Sequence, residues 1–99
     1  LRFVTRHGCE PWEDLAVKLM LKWPNLHYST SAFAPKYYPE AIINYANTRG
    51  AEKILYAGYF PMGLHIDTIF DQLPHVPFRE HVWSKFLREN AARVLKLEV

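Results

Sequence analysis

The chain has a single cysteine, Cys9, among its 99 residues. One thiol cannot form an internal disulfide, and it cannot provide the paired cysteine ligands of a structural zinc site. This scarcity excludes the disulfide-bonded secreted domains as a class. A reducing compartment, the cytoplasm, is the predicted location.

Long hydrophobic runs and an excess of one charge are also missing. The apolar stretch 15–21 is interrupted by Lys18 and is much shorter than the ~20 residues that a membrane span needs. Lys and Arg number 12 and are interleaved with 10 Asp and Glu, so the net charge is only +2. Because no basic cluster is present, neither nucleic acid nor a membrane is a predicted partner.

The composition that remains is that of an ordinary folded domain. Apolar residues make up 49% of the chain and charged residues 22%, which is too hydrophobic for a disordered protein. No repeat, low-complexity tract or linker divides the sequence, so residues 1–99 are predicted to form a single domain. Residues 1–5 resemble the middle of a strand, and we therefore expect the chain to be a piece of a longer polypeptide.

Strand patterns alternate with helix patterns along the chain. Short runs rich in β-branched and aromatic residues predict strands at 3–5, 26–29 and 53–57. Apolar residues at three- and four-residue spacing predict helices at 11–23, 39–50, 66–73, 80–88 and 91–96. This alternation is typical of βαβ units with a parallel sheet, so the predicted fold class is α/β.

The helix patterns also predict an apolar face and several helix ends. Pro11 is expected in the first turn of the first helix, Gly50 is expected to cap the second, and Asn90 is expected to cap the last. The first helix carries one apolar stripe: Trp12, Leu15, Ala16, Leu19, Met20 and Trp23. The aromatic side chains are expected to be core material: Trp12, Trp23, Tyr37, Tyr38, Phe60 and Trp83.

Four motifs follow one another along the chain: 4–8 (VTRHG) with Pro11-Trp12, 23–28 (WPNLHY), 51–61 (AEKILYAGYFP) and 89–95 (ENAARVL). In this order they resemble the amidohydrolase-related family, which includes aminocarboxymuconate-semialdehyde decarboxylase. In that family a His-Gly pair ends the sixth barrel strand and a Pro-Asn pair precedes the seventh. Together the four motifs span essentially the whole chain.

The resemblance implies a partial TIM (β/α)₈ barrel of three parallel βα units, strands six to eight, with C-terminal helices. It also implies metal-dependent hydrolysis or decarboxylation of a small organic substrate. The family's His-x-His pair and its fifth-strand His would lie before Leu1, so no metal ligand is predicted in this chain. A divalent metal, zinc, is expected only in a full-length parent. Tyr59 occupies the position of the family's eighth-strand aspartate.

Three candidate site residues lie at the predicted strand ends. By resemblance, His7 polarises the substrate or assists proton transfer; the alternative is a hydrogen-bonded histidine that ends a strand. Ser29 begins the polar run Ser29-Thr30-Ser31 and is a candidate for substrate binding, although loop solvation explains it equally well. Tyr59 either contacts substrate or packs, because a phenol with a pKa of ~10 is a poor base at neutral pH.

The other reactive side chains have simpler explanations. Cys9 is two residues from His7 on an extended segment, which is not a recognisable nucleophilic dyad. First-turn helix charges account for Glu10, Glu13 and Asp14. The remaining histidines have no metal-ligand spacing: His27, His65, His75 and His81.

A three-strand piece of a barrel is expected to leave two open edges and an uncovered inner sheet face. The predicted partner is therefore a second copy of the chain, packed inner face to inner face, or the missing N-terminal half of the barrel. The sequence supports two functional interpretations. The chain is part of a metal-dependent enzyme and inactive alone, or it is a non-catalytic oligomerising or partner-binding module.

Overall fold

A computed structural model describes residues 1–31, 33–58 and 66–97 of the chain. Tyr59, Phe60 and His65 lie outside these residues. Strands and α-helices alternate in the described part, in the order β1 (Phe3–Thr5), α1 (Glu13–Lys22), β2 (Leu26–Ser29), α2 (Glu40–Thr48), β3 (Ile54–Leu55), α3 (Ile66–Gln72), α4 (Glu80–Ser84) and α5 (Asn90–Val94).

Short irregular turns complete the described elements. Three 3₁₀ turns lie at His7–Cys9, Pro35–Tyr37 and Leu73–His75. A π-helical turn, Lys85–Glu89, joins α4 to α5, so that residues 80–94 form one continuous helix, called here the C-terminal helix. In the part of the chain that the structure describes, no helix has the length and hydrophobicity needed to cross a bilayer.

The three strands form one parallel sheet in the order β1-β2-β3. Val4 lies opposite His27, and Ser29 lies opposite Leu55. The predicted parallel α/β arrangement is therefore confirmed. Each strand is linked to the next through a helix, as a parallel connection requires.

The third strand is shorter than the predicted span 53–57. Only Ile54 and Leu55 pair with β2, because the next two amides bond elsewhere. Tyr56 N–H donates to Phe86 O of the C-terminal helix at 3.1 Å, and Ala57 N–H donates to the Thr30 hydroxyl at 3.3 Å. These contacts end the strand after two residues.

The hydrophobic core lies between the sheet and its helices. Tyr28 and Ile54 point from the sheet into this layer, and both are fully buried. They pack with side chains from α1, α2 and the C-terminal helix: Ala16, Met20, Ile42, Tyr45, Ala46, Val82 and Phe86. Alternation along β2 and β3 therefore directs His27, Ser29 and Leu55 to the opposite, inner face.

The first helix differs from its prediction at its start and on its apolar face. It begins at Glu13, with Trp12 as its N-terminal cap residue, so Pro11 precedes the helix. Ala16 and Met20 of the apolar stripe are buried. The prediction that Trp12, Trp23 and Tyr37 are core material is wrong, because they are 65%, 54% and 65% exposed. Leu15 and Leu19 of the same stripe are also exposed. The sheet and α2 cover only one side of the stripe.

Gly50 follows the end of α2, as predicted. Its N–H donates to Tyr45 O at 2.7 Å, which satisfies a carbonyl in the last turn of the helix. A Cβ atom at this position would lie 2.2 Å from Cε2 of the Tyr45 ring, so a side chain does not fit there. The turn into β3 therefore requires glycine because of a close approach.

Asn90 does not cap a helix, contrary to the prediction. It is fully buried inside the C-terminal helix, where the backbone continues without a break. Its side-chain Nδ2 donates to Ala51 O at 2.7 Å and to Ile54 O at 2.9 Å, and its Oδ1 accepts from Arg93 at 3.2 Å. Its role comes from tertiary contacts with β3 rather than from the helix end.

The C-terminal helix closes the outer edge of β3. The carbonyl of Lys53 accepts the N–H of Tyr28, and the carbonyl of Leu55 accepts the N–H of Thr30. Because peptide groups alternate in direction along a strand, those of Ile54 and Tyr56 point away from β2. Both of these outward groups are bonded to the C-terminal helix, through Asn90 and through Phe86 O. In a closed barrel the first strand would pair at this edge, and in this structure the C-terminal helix occupies it.

At the end of the sheet opposite to His7, two basic side chains donate hydrogen bonds that connect the beginnings of the strands with neighbouring segments. Lys53 Nζ donates to the carbonyls of Trp23, Pro24 and Leu26 at 2.9, 3.0 and 2.6 Å. Arg2 donates to Val94 O at 3.0 Å, which links β1 to the end of the C-terminal helix. Burial, and then the charge of Arg93, lowers the pKa of Lys53.

The inner face of the sheet is largely covered, contrary to expectation. His27, Ser29 and Leu55 are only 6%, 8% and 5% exposed, and Val4 is 40% exposed. One group of exposed apolar side chains belongs to β1 and α1, and we call it the β1-side surface: Phe3, Trp12, Leu15, Leu19 and Trp23. Other exposed apolar side chains lie elsewhere, among them Phe70 of α3 and Leu87 of the C-terminal helix. A cleft of about 350 Å³, bordered by Phe3 and Trp23, belongs to the β1-side surface.

Candidate functional site

The carboxyl ends of β1 and β2 bring His7 and the polar run 29–31 together. His7 follows β1 directly after Arg6, and Ser31 lies two residues beyond the end of β2. Because the two strands are parallel neighbours, their ends lie at the same edge of the sheet. His7 N–H donates to the Ser31 hydroxyl oxygen at 2.9 Å, and His7 Nδ1 lies 3.3 Å from the same oxygen.

Ser29 stabilises the backbone beside the contact between His7 and Ser31. Its hydroxyl oxygen accepts the N–H of Ser31 at 3.2 Å, and only 8% of the residue is exposed. Ser29 therefore holds the backbone of Ser31 in place in this structure. We call His7, Ser29 and Ser31 the strand-end site; a direct role of Ser29 in substrate binding stays a prediction.

The backbone at His7 is held in an unusual conformation. Its φ is 53°, in the left-handed region that side chains other than glycine adopt at a cost of about 1–2 kcal/mol. Cys9 in the same turn has a φ of 54°. The bond from His7 N–H to the Ser31 hydroxyl offsets part of this cost.

Thr30 is a structural residue of the strand ends. It is 1% exposed; its hydroxyl lies 3.4 Å from Leu55 O and accepts the Ala57 N–H at 3.3 Å. These bonds join the end of β2 to the end of β3. Thr30 therefore stabilises the edge on which the strand-end site lies, and it does not face a ligand.

Two buried tyrosines lie near the site on its helix side. Burial, followed by the nearby Glu13 carboxylate, raises the pKa of Tyr28, and burial raises the pKa of Tyr38 to about 12. Both phenols are therefore neutral at physiological pH and do not serve as bases. Within the described residues the Tyr28 hydroxyl has no hydrogen-bond partner, which is consistent with a packing role.

The described residues do not form a metal centre by themselves. In residues 1–31, 33–58 and 66–97 no three His, Cys, Asp or Glu side chains are grouped as metal ligands. The partner of His7 in the strand-end site is a serine hydroxyl, which is not among the usual ligands of zinc. Any metal of a parent enzyme would need ligands from elsewhere.

A serine nucleophile is also not supported by the geometry. Ser31 is only 8% exposed, and its oxygen already accepts the His7 N–H. An attacking hydroxyl must reach a substrate carbonyl and transfer its proton to a base. A cleft of about 300 Å³ between Pro35, Tyr38 and Val76 is not lined by Ser31.

The sequence predicted His7 and Ser29 as site residues, and the structure places both at one edge of the sheet, but the contact of His7 with Ser31 was not predicted. The available signal was positional, because the carboxyl ends of neighbouring parallel strands meet at one edge. Tyr59, the third predicted site residue, lies outside the described residues. Its role as a replacement for the family's aspartate therefore stays a prediction.

Comparison with known proteins identifies the fold. No family model matches the chain, and no curated protein matches it. A solved structure of an uncharacterized TIM-barrel protein from Bordetella bronchiseptica is similar, with a TM-score of 0.84 and 25% sequence identity. The similarity covers 98% of this chain and 34% of that chain, so the chain spans about a third of the protein that it matches.

The chain therefore has the fold of part of a TIM barrel, with three parallel strands and their helices. The predicted fold class is confirmed. The name of the similar protein states a fold and no activity. The amidohydrolase chemistry that the sequence motifs imply stays a prediction.

Proposed function

We propose that the chain supplies βα units to a metal-dependent TIM-barrel enzyme of the amidohydrolase-related family, which hydrolyses or decarboxylates a small organic substrate. One observation carries this proposal: His7, Ser29 and Ser31 converge at the carboxyl ends of two parallel strands. Active sites of TIM barrels are built at that end of the strands. An imidazole placed there is suited to polarising a substrate oxygen or moving a proton.

The contacts of the described residues support a division of roles within such an enzyme. His7 contacts the substrate, while Ser29 and Ser31 hold the turn that presents it. A divalent metal would activate water or polarise the substrate, and its ligands would come from other βα units. We expect residues 1–99 alone to be inactive, because they lack these ligands in the described part.

The test uses the polypeptide of the complete open reading frame that contains this segment. Its divalent metal content is measured by mass spectrometry, and turnover is measured with small carboxylates, cyclic amides and esters. His7→Asn should lower turnover by about 10²-fold or more and leave the metal content unchanged. His75→Asn, at an exposed position in the Leu73–His75 turn, is the control. Absence of metal, or full activity in His7→Asn, would contradict the proposal.

The β1-side surface supports a second, non-catalytic candidate, in which two copies of the chain associate. Phe3 is 56% exposed and Trp12 is 65% exposed, and no strand of residues 1–31, 33–58 and 66–97 pairs with the outer edge of β1. Since the C-terminal helix closes β3, head-to-tail pairing of β1 with β3 of another copy is blocked. Antiparallel pairing of two β1 edges about a two-fold axis remains open, and it places both α1 helices on the same side.

The two candidates differ in what covers the β1-side surface. In the enzyme it is the preceding βα unit of the barrel, and in the second candidate it is another copy of this chain. Gel filtration with light scattering of residues 1–99 distinguishes them. A dimer that Leu15→Glu/Leu19→Glu dissociates, and that Leu87→Glu on the C-terminal helix does not, supports the second candidate. A folded monomer at micromolar concentration rules it out.

A further inference from the structure

Three buried hydroxyl groups have no hydrogen-bond partner in residues 1–31, 33–58 and 66–97: those of Thr5, Tyr28 and Tyr38. Thr5 and Tyr28 lie opposite each other in neighbouring strands, so their side chains point to the same face of the sheet, which is the helix side. Tyr28 and Tyr38 belong to the same buried cluster. Burial raises the pKa of Tyr28, and the phenol of Tyr38 is close enough to add to this effect. The three groups therefore lie in one part of the helix layer.

Burial of these hydroxyls is nearly complete. Tyr28 is 0% exposed, Tyr38 is 7% exposed, and the hydroxyl oxygen of Thr5 is buried. The Thr30 side chain lies near Tyr38, but its hydroxyl accepts the Ala57 N–H and does not meet hydrogen-bond geometry with the phenol. A hydroxyl buried without any partner destabilises the folded state, and three of them would cost a large share of the small free energy that keeps a domain folded.

The chemistry of a hydroxyl restricts what can bind to it here. Each hydroxyl has one hydrogen to donate and lone pairs that accept, so a bridging molecule must both accept and donate hydrogen bonds. A metal cation cannot accept, and a simple anion cannot donate. Water does both, and globular proteins hold about one internal water per 27 residues, with about three hydrogen bonds to each. Three neighbouring hydroxyls fit such a molecule.

We propose that internal water is bound in the helix layer at the hydroxyls of Thr5, Tyr28 and Tyr38, where it connects the ends of β1 and β2 with the segment that follows the Pro35–Tyr37 turn. Thr5 is the last residue of β1, and the chain continues from it to the turn that contains His7. The water therefore stabilises, from the helix side, the strand end that leads into this turn. The inference does not depend on the proposed catalytic function.

The experiment is ¹⁷O magnetic relaxation dispersion of the 99-residue chain in ¹⁷O-enriched water. Water oxygens that stay inside a protein long enough to tumble with it raise the relaxation rate at low field. Exchange of hydroxyl hydrogens with solvent does not contribute, because the signal is that of oxygen. We expect a dispersion with the amplitude of at least one internal water. A chain without dispersion would overturn the inference, whether or not any variant folds.

Variants locate the bound water. Tyr28→Phe and Tyr38→Phe each remove a hydroxyl and keep the ring, so the amplitude of the dispersion should fall in both. Tyr37→Phe, at a tyrosine that is 65% exposed, is the matched control and should leave the amplitude unchanged. An unchanged amplitude in folded Tyr28→Phe and Tyr38→Phe proteins would overturn the inference. A higher midpoint temperature of unfolding in both variants than in the unchanged chain would overturn it as well, because that result is expected for hydroxyls buried without a partner.

Discussion

The two outer edges of the sheet, at β1 and at β3, differ in whether other residues of the chain bond to them and cover them. At β3, the C-terminal helix bonds to the outward peptide groups and buries Phe86 completely. At β1, the outward peptide of Val4 has no hydrogen-bond partner among the described residues, and Phe3 beside it is 56% exposed. In the described residues, the outer edge of β3 is therefore bonded to the C-terminal helix, whereas the outer edge of β1 is not covered.

The difference between the two edges indicates which side of the molecule contributes more to the free energy of unfolding. Buried apolar area and satisfied hydrogen bonds stabilise the β3 side, while exposed apolar area on the β1 side contributes little until it is covered. Substitutions on the β3 side should therefore lower the free energy of unfolding strongly. Equivalent substitutions on the β1 side should act mainly on association.

The largest effect is expected from a matched pair of phenylalanines. Phe86→Ala removes a fully buried ring that contacts Tyr38, Tyr56 and Phe78, and should lower the free energy of unfolding by about 3–5 kcal/mol. Phe3→Ala should cost less than about 1 kcal/mol, because its ring is more than half exposed. Urea unfolding followed by circular dichroism measures both. Equal losses would remove the contrast between the two sides.

Asn90 should give the next largest effect. Asn90→Ala leaves the carbonyls of Ala51 and Ile54 without their buried donor, which should lower the free energy of unfolding by about 2–3 kcal/mol. Asn44→Ala, on the exposed side of α2, is the control and should change it by less than about 0.5 kcal/mol. An Asn90→Ala protein as stable as the control would show that the helix does not seal β3.

On the β1 side, Leu15→Gln should have a small effect on the stability of the monomer. Leu15 is 51% exposed, so the change in free energy of unfolding should stay within about 1 kcal/mol. Met20→Ala on the same helix is buried and should cost about 2–5 kcal/mol. Thermal unfolding of both variants tests whether one helix really has a covered side and a bare side. A large loss for Leu15→Gln would contradict this.

The smallest expected effect is the dependence of stability on pH that results from His27, on the inner face of the sheet. Burial, and then the charges of Lys53 and Arg93, lowers the pKa of His27 below its usual value of 6.5. The unfolded chain then binds the proton more readily, so stability is complete above pH 6.5 and falls as the pH drops below that value.

A substitution isolates the contribution of His27. His27→Gln should flatten the decline in stability below pH 6.5, and His75→Gln, at an exposed position, should leave it unchanged. Urea unfolding at several pH values provides the measurement. If the free energy of unfolding of His27→Gln fell equally below pH 6.5, groups other than His27 would cause the fall.

The sequence predicted those features that depend on local pattern. β1 and β2 have the predicted bounds, and the alternation of strands and helices predicted the parallel sheet. The family motifs predicted a partial TIM barrel, which the similar Bordetella protein confirms. His7 was located because it follows a strand directly.

The features that were missed depend on contacts distant in the sequence. Asn90 has the residue type of a helix cap, and only its distance from Ala51 and Ile54 reveals its role. The apolar stripe of α1 shows which residues are hydrophobic, but the choice between a covered and a bare side depends on which neighbours are present. The contact of His7 with Ser31 spans 24 positions and depends on strand register.

Amide hydrogen exchange of the monomeric chain tests the contrast between the edges most directly. The amide of Tyr56 is bonded to Phe86 O, whereas the amide of Val4 points away from β2. We predict that Val4 exchanges at least about tenfold faster than Tyr56, since only the latter requires an opening of the structure. Equal, slow exchange at both amides of the monomer would show that the β1 edge is covered, and would contradict this account.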